Sequence, residues 1–246
     1  MPVACVADRL SSAAPVVIAV SGGTDSLLLL AIAAANGIPA AAVTVDTGMN
    51  PPGECRRAER IAHRLSIPFH VLAVDMLALP AVAGNADDRC YRCKYRMMEA
   101  IAAWATAHGY ATVVDGTHAD DAAGTRPGMR ALAELGIASP FKECGIGKEE
   151  IRSMAGDFGI PIVPSSSCLA TRFPAGTPVS RDGLERVRRA ERLLRRRVRG
   201  HLRVRVSGDR ATVECEAGEC SRASGMIGEL LGLGFASVTI EPKVNR

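Results

Sequence analysis

"VVIAVSGGTDSLLLLAIAAANG", residues 16 to 37, opens with five apolar, mostly β-branched residues, breaks at two glycines and resumes as a run of leucine and alanine. The first five residues have the length and composition of a buried strand, and residues 25–35 have those of a buried helix. Two consecutive glycines let the backbone come close to a ligand and point several N–H groups into one concavity. The helix that follows offers its positive N-terminus, and together these predict an anion site suited to a phosphate chain. The turn carries neither G-x-x-x-x-G-K-[ST] nor G-x-G-x-x-G, so kinase-like and nicotinamide chemistry are not the natural expectation. A plain helix N-cap after a strand is the simpler alternative.

Outward from this stretch, strand and helix alternate. Apolar, β-branched runs of strand length occur at 16–20, 40–46, 69–74 and 112–115, separated by helical patterns at 25–35, 54–65 and 89–107. Such alternation predicts an α/β fold, a parallel sheet with helices on both faces. Ligands of such sheets sit at the carboxyl ends of the strands. The Ser-Gly-Gly turn, "VTVDTG" (43–48) and "VVDGTHADD" (113–121) all fall at such ends.

"SPFKECGIGKEEIRSMAGDFGIP" (139–161) reads as loop, helix and stop, and the Ser-, Pro- and Gly-rich "VPSSSCLATRFPAGTPVS" (163–180) marks a domain boundary. We expect one domain over 1–164 and a second over 165–246. The second reads as a small α+β unit: an Arg-rich helix near 182–198, a strand pair at 201–215 around a Ser-Gly-Asp turn, a helix near 220–231 and a last strand at 235–242. No internal repeat or low-complexity segment interrupts it.

With 246 residues, 48% hydrophobic and 23% charged, the chain can bury a sizeable core. No apolar run approaches the roughly 18 residues of a membrane span, so no membrane partner is expected. The N-terminus "MPVACVADRL" has neither a basic n-region nor an apolar h-region, which points to a cytoplasmic protein with reduced cysteines. Net charge is only +4, yet residues 181–206 hold eleven arginines, a place for something anionic or simply a solvated helix face.

The loop Ser-Gly-Gly-x-Asp-Ser resembles that of the PP-loop, or ATP pyrophosphatase, family, whose members cleave ATP to AMP and pyrophosphate and activate an oxygen of the substrate as its adenylate. The resemblance implies that Ser21, Gly22, Gly23, Thr24 and Ser26 cradle the phosphates, that Asp25 helps place Mg2+, and that Asp46 and Gly116 line the ATP pocket. Over most of the chain, "GTHADDAAGTRPGMRALAELGIASPFKE", "KEEIR", "SSSCLATRFPAGTPVS" and "LRVRVSGDRATVE" resemble one PP-loop branch, the LarE sulfur transferases of nickel-pincer nucleotide synthesis. In that branch a pyridinium biscarboxylate mononucleotide is adenylated, a cysteine attacks, and the sulfur ends as a thiocarboxylate. Cys168 matches the sulfur-bearing position, and Arg172 beside it would favour the thiolate.

Some members sacrifice the cysteine sulfur. Others hold a [4Fe-4S] cluster on three cysteines, here Cys90 and Cys93 of "RCYRCK" with Cys168. Zinc, with "CEAGEC" as a second pair, and a thioredoxin-like redox pair are alternative readings of that C-x-x-C. Cys5, Cys55, Cys144, Cys215 and Cys220 are expected to be small buried hydrophobes or spectators. By resemblance Arg172, Arg203 and Arg205 bind the substrate, and Glu191 and Glu214 hold a divalent cation. His118 and the small residues of "GTRPG" (124–128) depart from the family pattern.

The expected partners are a small anionic nucleotide, a sulfide or cysteine-desulfurase sulfur source and further copies of the chain. Nucleic acid is not expected, because aromatic stacking platforms are scarce. A tRNA thiolase, an amidotransferase-type synthetase and a nucleotide-binding module without chemistry remain the alternatives.

Overall fold

Val16, Val17, Ile18 and Ala19 are all buried, as expected of a strand with protein on both faces. They form β1 (Val16–Ala19), one of two inner strands of a four-stranded sheet with β2 (Ala40–Asp46), β3 (Phe69–Ala73) and β4 (Thr112–Val114). The order is β3-β2-β1-β4, with every pair parallel. The computed structural model describes residues 2–121, 127–164 and 166–243, so residues 124–126 of the "GTRPG" departure lie outside the described residues.

The helices in chain order are α1 (Pro2–Ser12), α2 (Thr24–Ala35), α3 (Glu54–Arg64), α4 (Pro80–Ala83), α5 (Arg89–Ala107), α6 (Pro127–Glu134), α7 (Pro140–Glu143), α8 (Lys148–Asp157), α9 (Arg181–Leu194), α10 (Cys220–Ser224) and α11 (Ile227–Leu231). Alternation along β1 explains how the sheet is covered. Val16 and Ile18 face one apolar cluster with Leu10 of α1, the leucines of α2, Ile61 of α3 and Ile151 of α8. Val17 and Ala19 face the other, with Met98 and Ile101 of α5 and Leu132 of α6.

From β1 the chain moves outward through β2 to β3, then returns to place β4 on the other side of β1. The order therefore reverses between β1 and β4, and the crevice outside their carboxyl ends is where an open α/β sheet binds ligands. The glycine turn follows β1 and Asp115 follows β4, so both loops open at this switch point.

A second unit comprises 48–52, 76–87 and 166–246, with the remaining residues forming the first. Its sheet is β5 (Leu202–Ser207), β6 (Arg210–Cys215) and β7 (Ser237–Pro242), β5 antiparallel and β7 parallel to β6. Leu202, Val204 and Val206 are buried, and α9 contributes the buried Leu184, Val187, Ala190 and Leu194. The alternate residues Arg203 and Arg205 share the opposite face with their cross-strand partners Glu214 and Thr212. Two stretches from earlier in the chain are tied in by backbone bonds: Leu169 N–H donates to Met49 O (2.8 Å) and Val179 N–H to Ala83 O (2.7 Å).

Two sequence expectations change. Cys5 and Cys144 are not reduced spectators but a disulfide, with Cα atoms 6.1 Å apart and a sequence separation of 139. The reason is α1, an element the apolar pattern did not announce. It buries Val6 and Leu10 and packs on α2 and α7, which carries Cys5 to Cys144. The single helix expected near 220–231 is two short ones, separated by Gly225 and Met226, where glycine weakens a helix interior.

Candidate active site

In the turn after β1, Gly22 has φ +82°, and a Cβ there would stand 2.4 Å from Glu54 O at the start of α3. No side chain fits, so the turn packs directly against the backbone at the start of α3. Arg57 of α3 fixes the bend by donating from Nε to Gly22 O at 2.6 Å. Ser26 Oγ donates to Gly23 O (3.1 Å) and accepts from Ser21 N–H (3.3 Å), while Gly23 N–H donates to Ser21 Oγ (3.3 Å). The two serines thus hold the turn from within. Thr24 instead faces away from the turn. Its Oγ1 donates to Pro161 O (3.2 Å) and accepts from Val163 N–H (2.8 Å), tying the first turn of α2 to the segment after α8.

Asp25 points at Lys148, whose Nζ donates to both carboxylate oxygens, 2.7 Å from Oδ2. Lys148 opens α8, where a cation opposes the helix dipole. That misplacement is the signal by which sequence reading could have found it. Opposite, Gly116 allows the loop after β4 to touch α2: a Cβ there would lie 2.8 Å from Ser26 N. Asp46, at the exposed carboxyl end of β2, completes the rim on the other side.

Asp115, which sequence reading did not single out, anchors the β4 loop. It accepts from Lys94 Nζ (3.1 Å), Ser139 Oγ (2.8 Å), Thr117 N–H (3.1 Å) and Thr117 Oγ1 (2.9 Å). Burial pushes its pKa up, but the Lys94 ammonium and the Ser139 and Thr117 bonds outweigh that and hold the carboxyl below its ordinary value. His118, two residues beyond Gly116, is buried with Nε2 3.6 Å from Asp121 Oδ2.

In the second unit, Cys168 is half-buried at the start of a 3-10 turn, Leu169–Arg172. Arg172 is buried and shapes the segment around the thiol. It donates from one terminal nitrogen to Ser167 Oγ (2.8 Å), Ser167 O (3.2 Å) and Thr171 Oγ1 (2.9 Å), and from Nε to Glu191 Oε1 (2.7 Å). Glu191 Oε1 also accepts from Val204 N–H (3.1 Å), and its Oε2 from Arg172 (3.3 Å). Glu191, expected as a cation ligand, therefore has both oxygens committed within the protein. Replacing it by alanine strands the Arg172 charge; the expected cost is about 3–5 kcal/mol, measured as a lower urea midpoint. A loss under about 1 kcal/mol would show that water reaches this pair.

On the polar face of the second sheet, Arg205 donates from Nε to Glu214 Oε1 and from a terminal nitrogen to Thr171 O (3.4 Å). This joins the sheet face to the Cys168 segment. Burial first, then the charges of Arg172 and Arg205, push the pKa of Arg203 down. Such crowding of cations is relieved by an anion. Burial would raise Glu214, but its bond to Arg205 and the charges of Arg205 and Arg203 carry it below its ordinary value.

Cys90 and Cys93 lie in the first unit, in the first turns of α5 and three residues apart, so on one helix face. Cys90 is exposed with an Arg89 terminal nitrogen 3.4 Å from its Sγ, and Cys93 Sγ is 3.9 Å from Met97 Sδ. Cys168 belongs to the second unit. Among the described residues no group of three or more His, Cys, Asp or Glu side chains is gathered to hold a metal ion. No helix among them is long and apolar enough to cross a membrane.

The chain is 34% identical over 233 residues to an uncharacterised protein of Synechocystis sp., covering 91% of this chain and 87% of that one. It is 28% identical to a pyridinium-3,5-bisthiocarboxylic acid mononucleotide synthase of Lactiplantibacillus plantarum over 92% of this chain and 85% of that protein. A tRNA(Ile)-lysidine synthase of Zymomonas mobilis is 34% identical over a shorter stretch, 49% of this chain and 35% of its own length. Residues 4–132, from α1 through the glycine turn and the β4 loop into α6, match the model of the PP-loop domain. On the shared span and on the turn it encloses, the chain belongs to the PP-loop family.

Proposed function

We propose that the protein is an ATP-dependent sulfur transferase acting on a small anionic nucleotide, with pyridinium-3,5-biscarboxylic acid mononucleotide as the favoured substrate. The observation that carries this reading is a half-buried cysteine, its flanking residues Ser167 and Thr171 held by Arg172, in the same unit as an arginine-crowded sheet face. Similarity over most of the chain to a synthase of the bisthiocarboxylic acid supports it. In this reading the glycine turn takes the phosphates of ATP, with Lys148 as an added cation beside them. The glycine turn at the start of α2 and the carboxylate of Asp25 suit phosphates and magnesium, which when bound would neutralise the departing pyrophosphate. The substrate carboxylate becomes its adenylate. Cys168 Sγ attacks the carbonyl, AMP leaves and a thioester remains. Abstraction of the Cys168 α-proton then breaks the Cβ–S bond, leaving a thiocarboxylate on the product and dehydroalanine in the chain.

Renewal of the sulfur through a [4Fe-4S] cluster on Cys90, Cys93 and Cys168 would require three thiolates in one set. Neither unit alone supplies it, so no step here passes through a cluster. The similarity to a tRNA(Ile)-lysidine synthase favours a second reading, an ammonia- or amine-accepting synthetase. It covers only about half of the chain.

The deciding experiment is pyrophosphate release from ATP in the presence of the mononucleotide. With Asp25→Ala the release should fall at least about 100-fold, the loss expected when one preorganised charge at the reacting phosphates is removed, in protein that still unfolds cooperatively. Near-normal release would remove the turn from the reaction. Arg203→Ala or Arg205→Ala should weaken mononucleotide binding by about 1–3 kcal/mol, measured by calorimetry, with ATP binding unchanged. Equal loss of both affinities would assign these arginines to stability instead.

A further inference from the structure

Two cysteines with no part in the proposed reaction meet in the second unit. Cys215 ends β6 and is fully buried; Cys220 opens α10 and is half-buried. The turn Ala217–Glu219 folds the chain back between them and brings the two Sγ atoms to 3.6 Å. A disulfide needs about 2.05 Å, a gap that falls within reach of rotation about the Cys220 side-chain bonds. Cys220 Sγ also makes a weak 3.7 Å contact with Glu216 O. We propose that Cys215 and Cys220 are a thiol–disulfide exchange site that closes into an intrachain disulfide on meeting a small-molecule disulfide such as oxidised glutathione. This does not depend on the sulfur-transfer reading.

The two sulfurs differ in role. Burial, the neighbouring Cys220 thiol and the Glu219 and Glu216 carboxylates push the Cys215 pKa up to about 12, so that it stays protonated at neutral pH. Cys220 is the accessible sulfur and attacks first. It gives its proton to solvent, bonds to one sulfur of glutathione disulfide and expels one glutathione thiolate, which takes up a proton. Cys215 then loses its proton, displaces the second glutathione from Cys220 and closes the ring. Two protein thiols are oxidised, one disulfide is reduced to two glutathione molecules, and the second step is the slower one. The fold already holds the two sulfurs 3.6 Å apart, so closing the ring costs less ordering than it does in the unfolded chain.

Both cysteines fall on one tryptic peptide, residues 211–222, which contains no other cysteine. Reduced protein is incubated folded with oxidised glutathione, alkylated, digested and weighed. Wild-type protein should give this peptide unalkylated and lighter by two hydrogens. Cys215→Ser should give it with one glutathionyl group on Cys220. Cys220→Ser should give it alkylated at Cys215 with no glutathione. The ratio of reduced to oxidised glutathione that half-opens the ring should be at least about tenfold higher for folded protein than for protein in guanidinium. Full alkylation of both cysteines in folded wild-type protein overturns the proposal. So does glutathione on Cys215 in Cys220→Ser, or an opening ratio no higher when folded than when unfolded.

Discussion

Gly22→Ala lowers ATP-dependent pyrophosphate release by at least about 100-fold, since a displacement of about 1 Å at a reacting group is enough for that loss. The new methyl would stand 2.4 Å from Glu54 O, and backbone rather than a flexible side chain would have to yield. The left-handed conformation adds about 1–2 kcal/mol of strain for a residue with a Cβ. Relief moves the turn or the start of α3, and with them the amides proposed to hold the phosphates. Gly37→Ala is the control. Gly37 also has positive φ, +64°, but nothing lies within 4 Å of its Cβ position. It should lose stability by a similar strain and keep its pyrophosphate release. If both variants release pyrophosphate at rates within a few-fold of the parent, the turn does not hold phosphates.

The second large effect separates two chemical steps. Cys168→Ala should abolish thiocarboxylate formation while leaving pyrophosphate release within a few-fold of the parent, because the glycine turn is built by other residues. The fold should survive: Cys168 contributes its carbonyl, which accepts from Thr171 N–H (3.0 Å) and Thr171 Oγ1 (2.8 Å), and alanine keeps that carbonyl. After one turnover the parent protein should be lighter by one hydrogen sulfide molecule under the sacrificial route. An unchanged mass with repeated turnover would point to a renewable sulfur source. Sulfur transfer by Cys168→Ala at the parental rate would return the chain to a PP-loop synthetase with another nucleophile.

The sheet was legible because each of its strands is a short apolar run bounded by helical patterns, and burial on both faces makes such runs continuous. The glycine turn between β1 and α2 was legible because glycine pairs are local signals. What sequence reading missed is long-range. Lys148 reaches Asp25 across 123 residues, and Asp115 gathers Lys94 and Ser139 from two other segments. Neither pairing leaves a periodic trace. Arg172 was read as a partner of the thiol or substrate, yet its buried guanidinium serves Glu191 and the Ser167 segment. Burial, which decides between those roles, is not written in the residue type. The Cys5–Cys144 bridge was missed with α1, whose short apolar stripe of Val6 and Leu10 only becomes significant once α2 and α7 lie beside it.

The second unit is assembled from three separate lengths of the polypeptide, and this limits how such a protein can be rearranged. A gene fragment beginning near residue 166 would lack the Met49 carbonyl that receives Leu169, the Ala83 carbonyl that receives Val179 and the Asn85 amide that donates to Pro174 O at 2.7 Å. Cutting there would strip these backbone groups of their partners and remove the buried Met76 and Val82. Shuffling by fusion at that boundary would not transplant an intact module.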